Sequence, residues 1–140
     1  MAETGLQGHQ VICSAFIEKE GKFAVIFCPK FKVWRVPGGR PERGEKVEDT
    51  LLRELKEETG ITFDNPTFVG FGQDEQFHVR AQRKTSRLIL FFHVKTKEEI
   101  LFDPSEAEDS KWVTFEELKN IQNKEGALTD LFERNPYLSF

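Results

Sequence analysis

Between Gly39 and Ile61 the chain reads GRPERGEKVEDTLLRELKEETGI, with acidic residues at intervals that an ordinary amphipathic helix does not require. At about 100° per residue, Glu54, Glu57 and Glu58 lie within an arc of roughly 100°, while Leu51, Leu52 and Leu55 point to an adjoining sector suited to a core. Like charges three and four residues apart repel by about a few tenths of a kcal/mol per pair, and the last turn of a helix already carries partial negative charge. A segment of this kind buries one stripe and sets its acidic stripe against something cationic. Clustered carboxylate oxygens with no thiol or imidazole among them suit a hard ion such as Mg²⁺ or Mn²⁺ far better than zinc. A plain solvated helix would instead pair its charges with Lys46, Arg53 and Lys56. Gly38-Gly39 ahead of the helix, Glu45 near its start and Gly60 at its end frame a constrained loop-helix-loop, which favours the ion-binding reading.

The flanking segments have the period of strands. HQVICSAFIEK and KFAVIFCP, separated by Glu20-Gly21, read as a hairpin, and Val33 to Val36 as a third short strand that Pro37-Gly38-Gly39 breaks. The helix is expected over about Val47 to Thr59, with Gly60 as a left-handed cap. Thr67 to Gly72, Gln76 to Arg80 and Arg87 to Thr96 read as further strands. Residues 80–86 form a basic hairpin connection, Pro104 to Ser110 a loop, and Lys111-Trp112-Val113 another strand. Thr114 and Glu117 have capping-box spacing for a first terminal helix, and Leu128 to Arg134 form a second. Strands on both sides of one acidic helix, with helices at the end, describe an α+β layer structure.

At 140 residues with 38% hydrophobic content and 14 phenylalanines, the chain suits one substantial core, hence one domain over residues 1–140. Its 24 Asp and Glu against 20 Lys and Arg argue against a nonspecific nucleic-acid surface. An anionic small molecule stays open, because a bound divalent cation inverts the local field. Cys13 and Cys28 lie in apolar runs and read as small buried hydrophobes, which fits a reducing, cytoplasmic setting. No run reaches membrane-spanning length, and no signal peptide is expected in MAETGLQGHQ. The expected partners are therefore a small molecule, with no nucleic acid and no membrane, and the protomer is a monomer or homodimer.

Written as G-x5-E-x7-R-E-U-x-E-E-x-G-U, with U bulky and apolar, the run is filled by Gly39, Glu45, Arg53, Glu54, Leu55, Glu57, Glu58, Gly60 and Ile61. In this it resembles the Nudix hydrolases, and the order of motifs follows that family from about Val11 to Leu118. Trp34-x-Val-Pro-Gly-Gly and Lys111-Trp112-Val113 followed by Glu117-Leu118 look MutT-like. The resemblance implies the Nudix fold, a mixed β-sheet sandwiched between α-helices, and Mg²⁺-dependent hydrolysis of a diphosphate linkage with Mn²⁺ as a substitute.

By the same resemblance Glu57 and Glu58 are the first metal ligands, and Glu54 is either a ligand or the base that takes the water proton. Arg53 orients a box glutamate, Glu45 has a supporting catalytic role, and the Gly39 carbonyl adds a neutral oxygen. A further ligand or base is expected from a loop before the late tryptophan, at Glu106 or, second, Glu108; plain surface charges are the alternative there. Lys30, Lys32, Arg35, Arg80, Arg83, Lys84 and Arg87 are candidate phosphate-steering residues or ordinary loop charges. Phe31, Trp34 and Phe77 are candidates to stack on a base or ordinary core and rim aromatics, so base recognition is left unassigned, while His78 and His93 read as sheet residues rather than ligands.

ADP-ribose-directed relatives typically carry a proline in the region matching Gln73 to Val79, and dinucleoside-polyphosphate enzymes a tyrosine; this stretch has neither. The leading expectation is cleavage of a nucleoside triphosphate between the α and β phosphates, giving a monophosphate and pyrophosphate. ADP-ribose or another sugar nucleotide is the alternative substrate, and a non-catalytic nucleotide-binding module the alternative class.

Overall fold

A computed structural model describes residues 8–140. Its elements are β1 (Gln10–Lys19), β2 (Lys22–Cys28), β3 (Val33–Arg35), β4 (Gly38–Gly39), α1 (Val47–Thr59), β5 (Thr67–His78), β6 (Arg83–Lys95), β7 (Asp109–Val113), α2 (Phe115–Lys119) and α3 (Gly126–Arg134). The sheet runs β3-β2-β1-β6-β5, with β4 paired to β1 and β7 to β2. β1 and β6 are parallel, from Gln10 opposite Arg87 to Glu18 opposite Lys95, whereas β5 and β6 form an antiparallel hairpin, so the sheet is mixed.

Strand β1 is buried on both faces, which explains its nearly unbroken apolar run. Its alternate residues serve two cores. Phe16 packs with Phe23, Val25 and Phe91 and with Leu118, Leu128 and Leu131 of the terminal helices. Cys13, Ala15 and Ile17 face the other way, against Leu51 and Leu55 of α1, Ile61 and Phe63. This is the expected sandwich of a mixed sheet between helices. Both cysteines are free and buried. Among the described residues no helix is long and apolar enough to cross a membrane.

Helix α1 spans the expected residues and stops at Gly60, whose φ of 76° lets its N–H reach the Lys56 carbonyl at 2.8 Å. Lys46, at its N-cap, supplies no side-chain cap, and Glu48 and Asp49 in the first turn complement the helix dipole instead. The Thr114–Glu117 capping box is present on α2.

Three expectations need correction. The Pro37-Gly38-Gly39 segment does not simply break a strand: Gly38 and Gly39 pair with Ser14 and Cys13 as β4, and the Ala15 N–H donates to the Pro37 carbonyl at 2.8 Å. A Cβ on Gly38 would stand 2.1 Å from the Cys13 carbonyl oxygen, so glycine is what admits the pairing. The segments Thr67 to Gly72 and Gln76 to His78 belong to one strand, β5, bent by an irregularity at Phe68/Gly70, and Val79 and Arg80 lie in the turn beyond it. The basic connection is shorter than residues 80–86, because β6 already starts at Arg83. Cross-strand pairing extends both strands through polar stretches that show no apolar alternation.

Candidate active site

The loop before α1 is organised around one carboxylate. Glu45 receives Arg53 through two bonds, Nε to Oε2 at 2.8 Å and Nη2 to Oε1 at 3.0 Å, with the Thr50 hydroxyl at 2.7 Å and the Glu42 N–H at 3.0 Å. The Arg53 bond and then those of Glu42 and Thr50 hold its carboxyl down at about 2. Arg53 reaches further, donating to the Arg40 carbonyl at 3.1 Å, to Glu54 at 3.3 Å and to Glu57 at 3.3 Å. One planar guanidinium thus joins Glu45, Glu54 and Glu57 to the loop.

Beneath it the carboxylates differ sharply. The Glu54 carboxylate lies against Gly39, where a Cβ would meet its carbon at 2.2 Å. Burial raises its pKa, against the opposing pull of Arg53. Glu58 is 4% exposed, and among the described residues neither of its oxygens has a hydrogen-bond partner. Burial pushes its carboxyl up to about 8, with Arg35 opposing and the charges of Glu54 and Glu106 adding to the rise. Glu57 stands at the surface, held by Arg53. Glu106 lines the same cleft as Glu54, whereas Glu108 is tied to Lys32 at 2.9 Å. Among the described residues, no three His, Cys, Asp or Glu side chains converge closely enough to hold an ion as placed.

The cleft encloses about 1050 Å³ and runs from Gly39, Arg53 and Glu54 past Arg35 to Phe31, His78, Arg87 and Glu125. Arg35 lies between the ends, its charge felt by Glu58 on one side and Glu125 on the other. At the far end Arg87, 2% exposed, grips Asp74 through Nε at 2.9 Å and Nη2 at 2.6 Å, and reaches Glu125 at 3.0 Å. Phe31 sits beside this cluster, 4.9 Å from the Arg87 guanidinium carbon and 5.2 Å from the His78 ring.

Among the candidate stacking residues, Phe31 alone lines the cleft. Trp34 packs on Phe27 at 5.4 Å and Phe77 is exposed. His78 lines the cleft too, its Nδ1 accepting from the Ala81 N–H at 3.0 Å, and His93 pairs with Glu18 at 2.7 Å. Asp74 and Glu125 were not anticipated. The available signal was hairpin symmetry: a turn centred between Arg80 and Ala81 sets Asp74 directly opposite Arg87, the observed register. Glu125 reaches them from the start of α3, and no local pattern announces it.

The NUDIX domain family matches residues 3–132 of the chain. The chain is 32% identical over 129 residues to Nudix hydrolase 5 of Arabidopsis thaliana, covering 84% of this chain and 41% of that protein. It spans about two fifths of the length of three such curated relatives, 39%, 41% and 44%. The MutT protein of Methanosarcina mazei Go1 superimposes with a TM-score of 0.76 at 22% identity, covering 90% of this chain and 91% of the other. The dihydroneopterin triphosphate pyrophosphohydrolase of E. coli does so with a TM-score of 0.68 at 18% identity, covering 89% and 95%. At these identities the structural likenesses speak to the fold. With the family match extending over nearly all of its length, the chain belongs to the NUDIX family.

Proposed function

We propose that the protein is a Mg²⁺-dependent pyrophosphohydrolase that cleaves a nucleoside triphosphate, or a related nucleotide, into a nucleoside monophosphate and pyrophosphate. The observation that carries this reading is Glu58: a buried carboxylate whose two oxygens are unpartnered among the described residues costs free energy until a cation satisfies it. Glu54 and Glu106 lie near enough for their charges to be felt at Glu58, and carboxylate oxygens with no thiol or imidazole among them suit Mg²⁺ or Mn²⁺. Glu54, Glu57, Glu58, the Gly39 carbonyl and Glu106 would hold the ion. When bound, it would neutralise charge on the phosphates and acidify a water.

The remaining work falls to the chain's own groups. Glu54 lines the cleft and its proton affinity is raised by burial, which supports it, as the alternative to a ligand role, as the base that accepts a proton from the attacking water. Arg53 acts as a positioning residue, fixing Glu54 relative to the loop through Glu45 and the Arg40 carbonyl. Arg35, partly buried in the cleft, offers positive charge to a phosphate chain midway between the two ends.

A sugar nucleotide such as ADP-ribose is the second reading, for which the cleft's extent from Gly39 and Glu54 to Phe31 and Arg87 leaves room. Purified protein with Mg²⁺ or Mn²⁺ is assayed against normal and oxidised nucleoside triphosphates, ADP-ribose and dinucleoside polyphosphates. The expected products are a monophosphate and pyrophosphate, without free orthophosphate. Saturable nucleotide binding with no product would overturn the enzymatic reading in favour of a binding module.

A further inference from the structure

The cations that line the cleft are not equivalent. Arg53 is committed to Glu45, Glu54 and Glu57, and Arg87 to Asp74 and Glu125. Lys30 and Arg83 line the end remote from Glu54, are exposed, and among the described residues have no carboxylate within ion-pair distance. Positive charge left over at this end runs against the net charge of −4, so composition does not account for it. Residues 80–84 add Arg80 and Lys84 and contain no acid; the ion pair there is Lys84 with Glu75, 4.0 Å apart and exposed. A merely solvated turn has no need to direct its charges inward. Arg80 and Lys84 stay outside the cleft, whereas Arg83, between them in sequence, lines it.

The backbone beneath the two cations is fixed. The Val79 N–H donates to the Lys30 carbonyl at 2.8 Å, which fastens the β5–β6 turn to the segment between β2 and β3. The turn closes on itself: the Ala81 N–H donates to His78 Nδ1 at 3.0 Å, the Gln82 N–H to the His78 carbonyl at 2.8 Å, and the Gln82 amide to the Val79 carbonyl at 2.6 Å. Arg83 lies opposite His78 in the hairpin register, and the His78 ring meets Phe31, the neighbour of Lys30, at 5.2 Å. Two uncompensated cations are thus carried by two joined turns at one mouth of the cleft, a placement suited to a compact anion.

We propose that Lys30 and Arg83 form a subsite for a second phosphate of the substrate, a monoester on the ribose, remote from the diphosphate that is cut. This rests on the reading of the cleft as a nucleotide site and narrows its substrate class to nucleotides phosphorylated at the 2′ or 3′ oxygen as well as the 5′. A phosphate monoester carries about −1.5 to −2 charge at neutral pH and three strong acceptor oxygens, which matches two cations. A diester leading to a further nucleotide carries a single charge and leaves half of that field uncompensated. The arginine fork suits two phosphate oxygens at once, and the lysine adds a point charge.

The test is calorimetric titration of the whole protein, in Mg²⁺, with four ligands. They are adenosine 5′-monophosphate, adenosine 2′,5′-bisphosphate, adenosine 3′,5′-bisphosphate and the dinucleotide 5′-phosphoadenylyl-(3′→5′)-adenosine, whose 3′ phosphate is a diester. None contains a diphosphate linkage, so turnover does not interfere. One bisphosphate is expected to bind about tenfold to a hundredfold more tightly than the monophosphate. With Lys30→Gln and Arg83→Gln together, that advantage falls toward unity. Arg80→Gln with Lys84→Gln removes the same charge from positions outside the cleft and keeps it. Equal affinity of the wild type for mono- and bisphosphates overturns the proposal, as does an equal loss in both double variants, which reduces the effect to the general field of the turn. A dinucleotide that binds as tightly as the better bisphosphate overturns the monoester in favour of a chain. Failure of all four to bind removes the nucleotide reading of the cleft together with this one. Selective binding by a protein that hydrolyses no triphosphate leaves this inference standing and removes only the enzymatic reading.

Discussion

Replacing Glu58 by Gln separates charge from shape at the most enclosed carboxylate of the box. Without metal, burial holds the Glu58 carboxyl at about 8, against 4.5 for the free side chain. The unfolded chain ionises there first, so the contribution of this group to stability is fully present below pH 4.5 and is lost as the pH rises toward 8. One unit of displacement corresponds to about 1.4 kcal/mol, so the loss amounts to about 3 kcal/mol at pH 7 and about 5 kcal/mol well above pH 8. Glutamine has no such titration, though its amide is left unpaired at a cost of about 1–3 kcal/mol. The stability of Glu58→Gln relative to wild type therefore rises by about 4 kcal/mol between pH 5 and pH 9, turning from neutral or unfavourable to favourable. Urea denaturation of both proteins in a chelator across that range measures it. With Mg²⁺ the order changes, since the ion stabilises the wild type by mass action and the variant much less. A stability difference that stays flat with pH, or equal stabilisation of both proteins by Mg²⁺, refutes the reasoning.

Gly38→Ala, whose new Cβ would meet the Cys13 carbonyl and Ser14 Cα at 2.1 and 2.5 Å, is expected to lower stability by at least about 1–3 kcal/mol in thermal denaturation. Gly39→Ala should instead fold and lose turnover, because its Cβ meets the movable Glu54 carboxylate; unchanged kcat argues against a role for Glu54 at that position. Glu45→Gln removes a group whose stabilising contribution is present above pH 4.5 and lost as the pH falls toward 2, so the variant's acid unfolding curve should lack that part of the wild-type slope. Thr114→Ala deletes the cap of α2 and should cost about 1 kcal/mol in thermal denaturation.

The elements legible in the sequence are those governed by local rules. Helix α1 follows from its apolar spacing and the left-handed Gly60, and α2 from Thr114 and Glu117. The β1–β2 turn follows from Glu20-Gly21, both at positive φ. The candidate metal end of the cleft is equally local, because Gly39, Glu45, Arg53, Glu54 and Glu58 lie within one loop and one helix. What local rules do not carry is pairing across the chain. Gly38-Gly39 looks like a breaker until β1 supplies a partner, and the polar middle of β5 looks like a loop until β6 lies beside it. Arg87 reads as one more cation on a basic hairpin, and its burial becomes apparent once Asp74 and Glu125 are seen to enclose it.

The clamp between β5 and α3 has an evolutionary corollary. Asp74 and Arg87 face each other across one hairpin and Glu125 joins them from the start of α3, while the acidic motif from Gly39 to Ile61 occupies a single contiguous stretch. Substitutions among the three leave that contiguous segment intact, so a lineage is free to vary one end of the cleft while the other stays fixed.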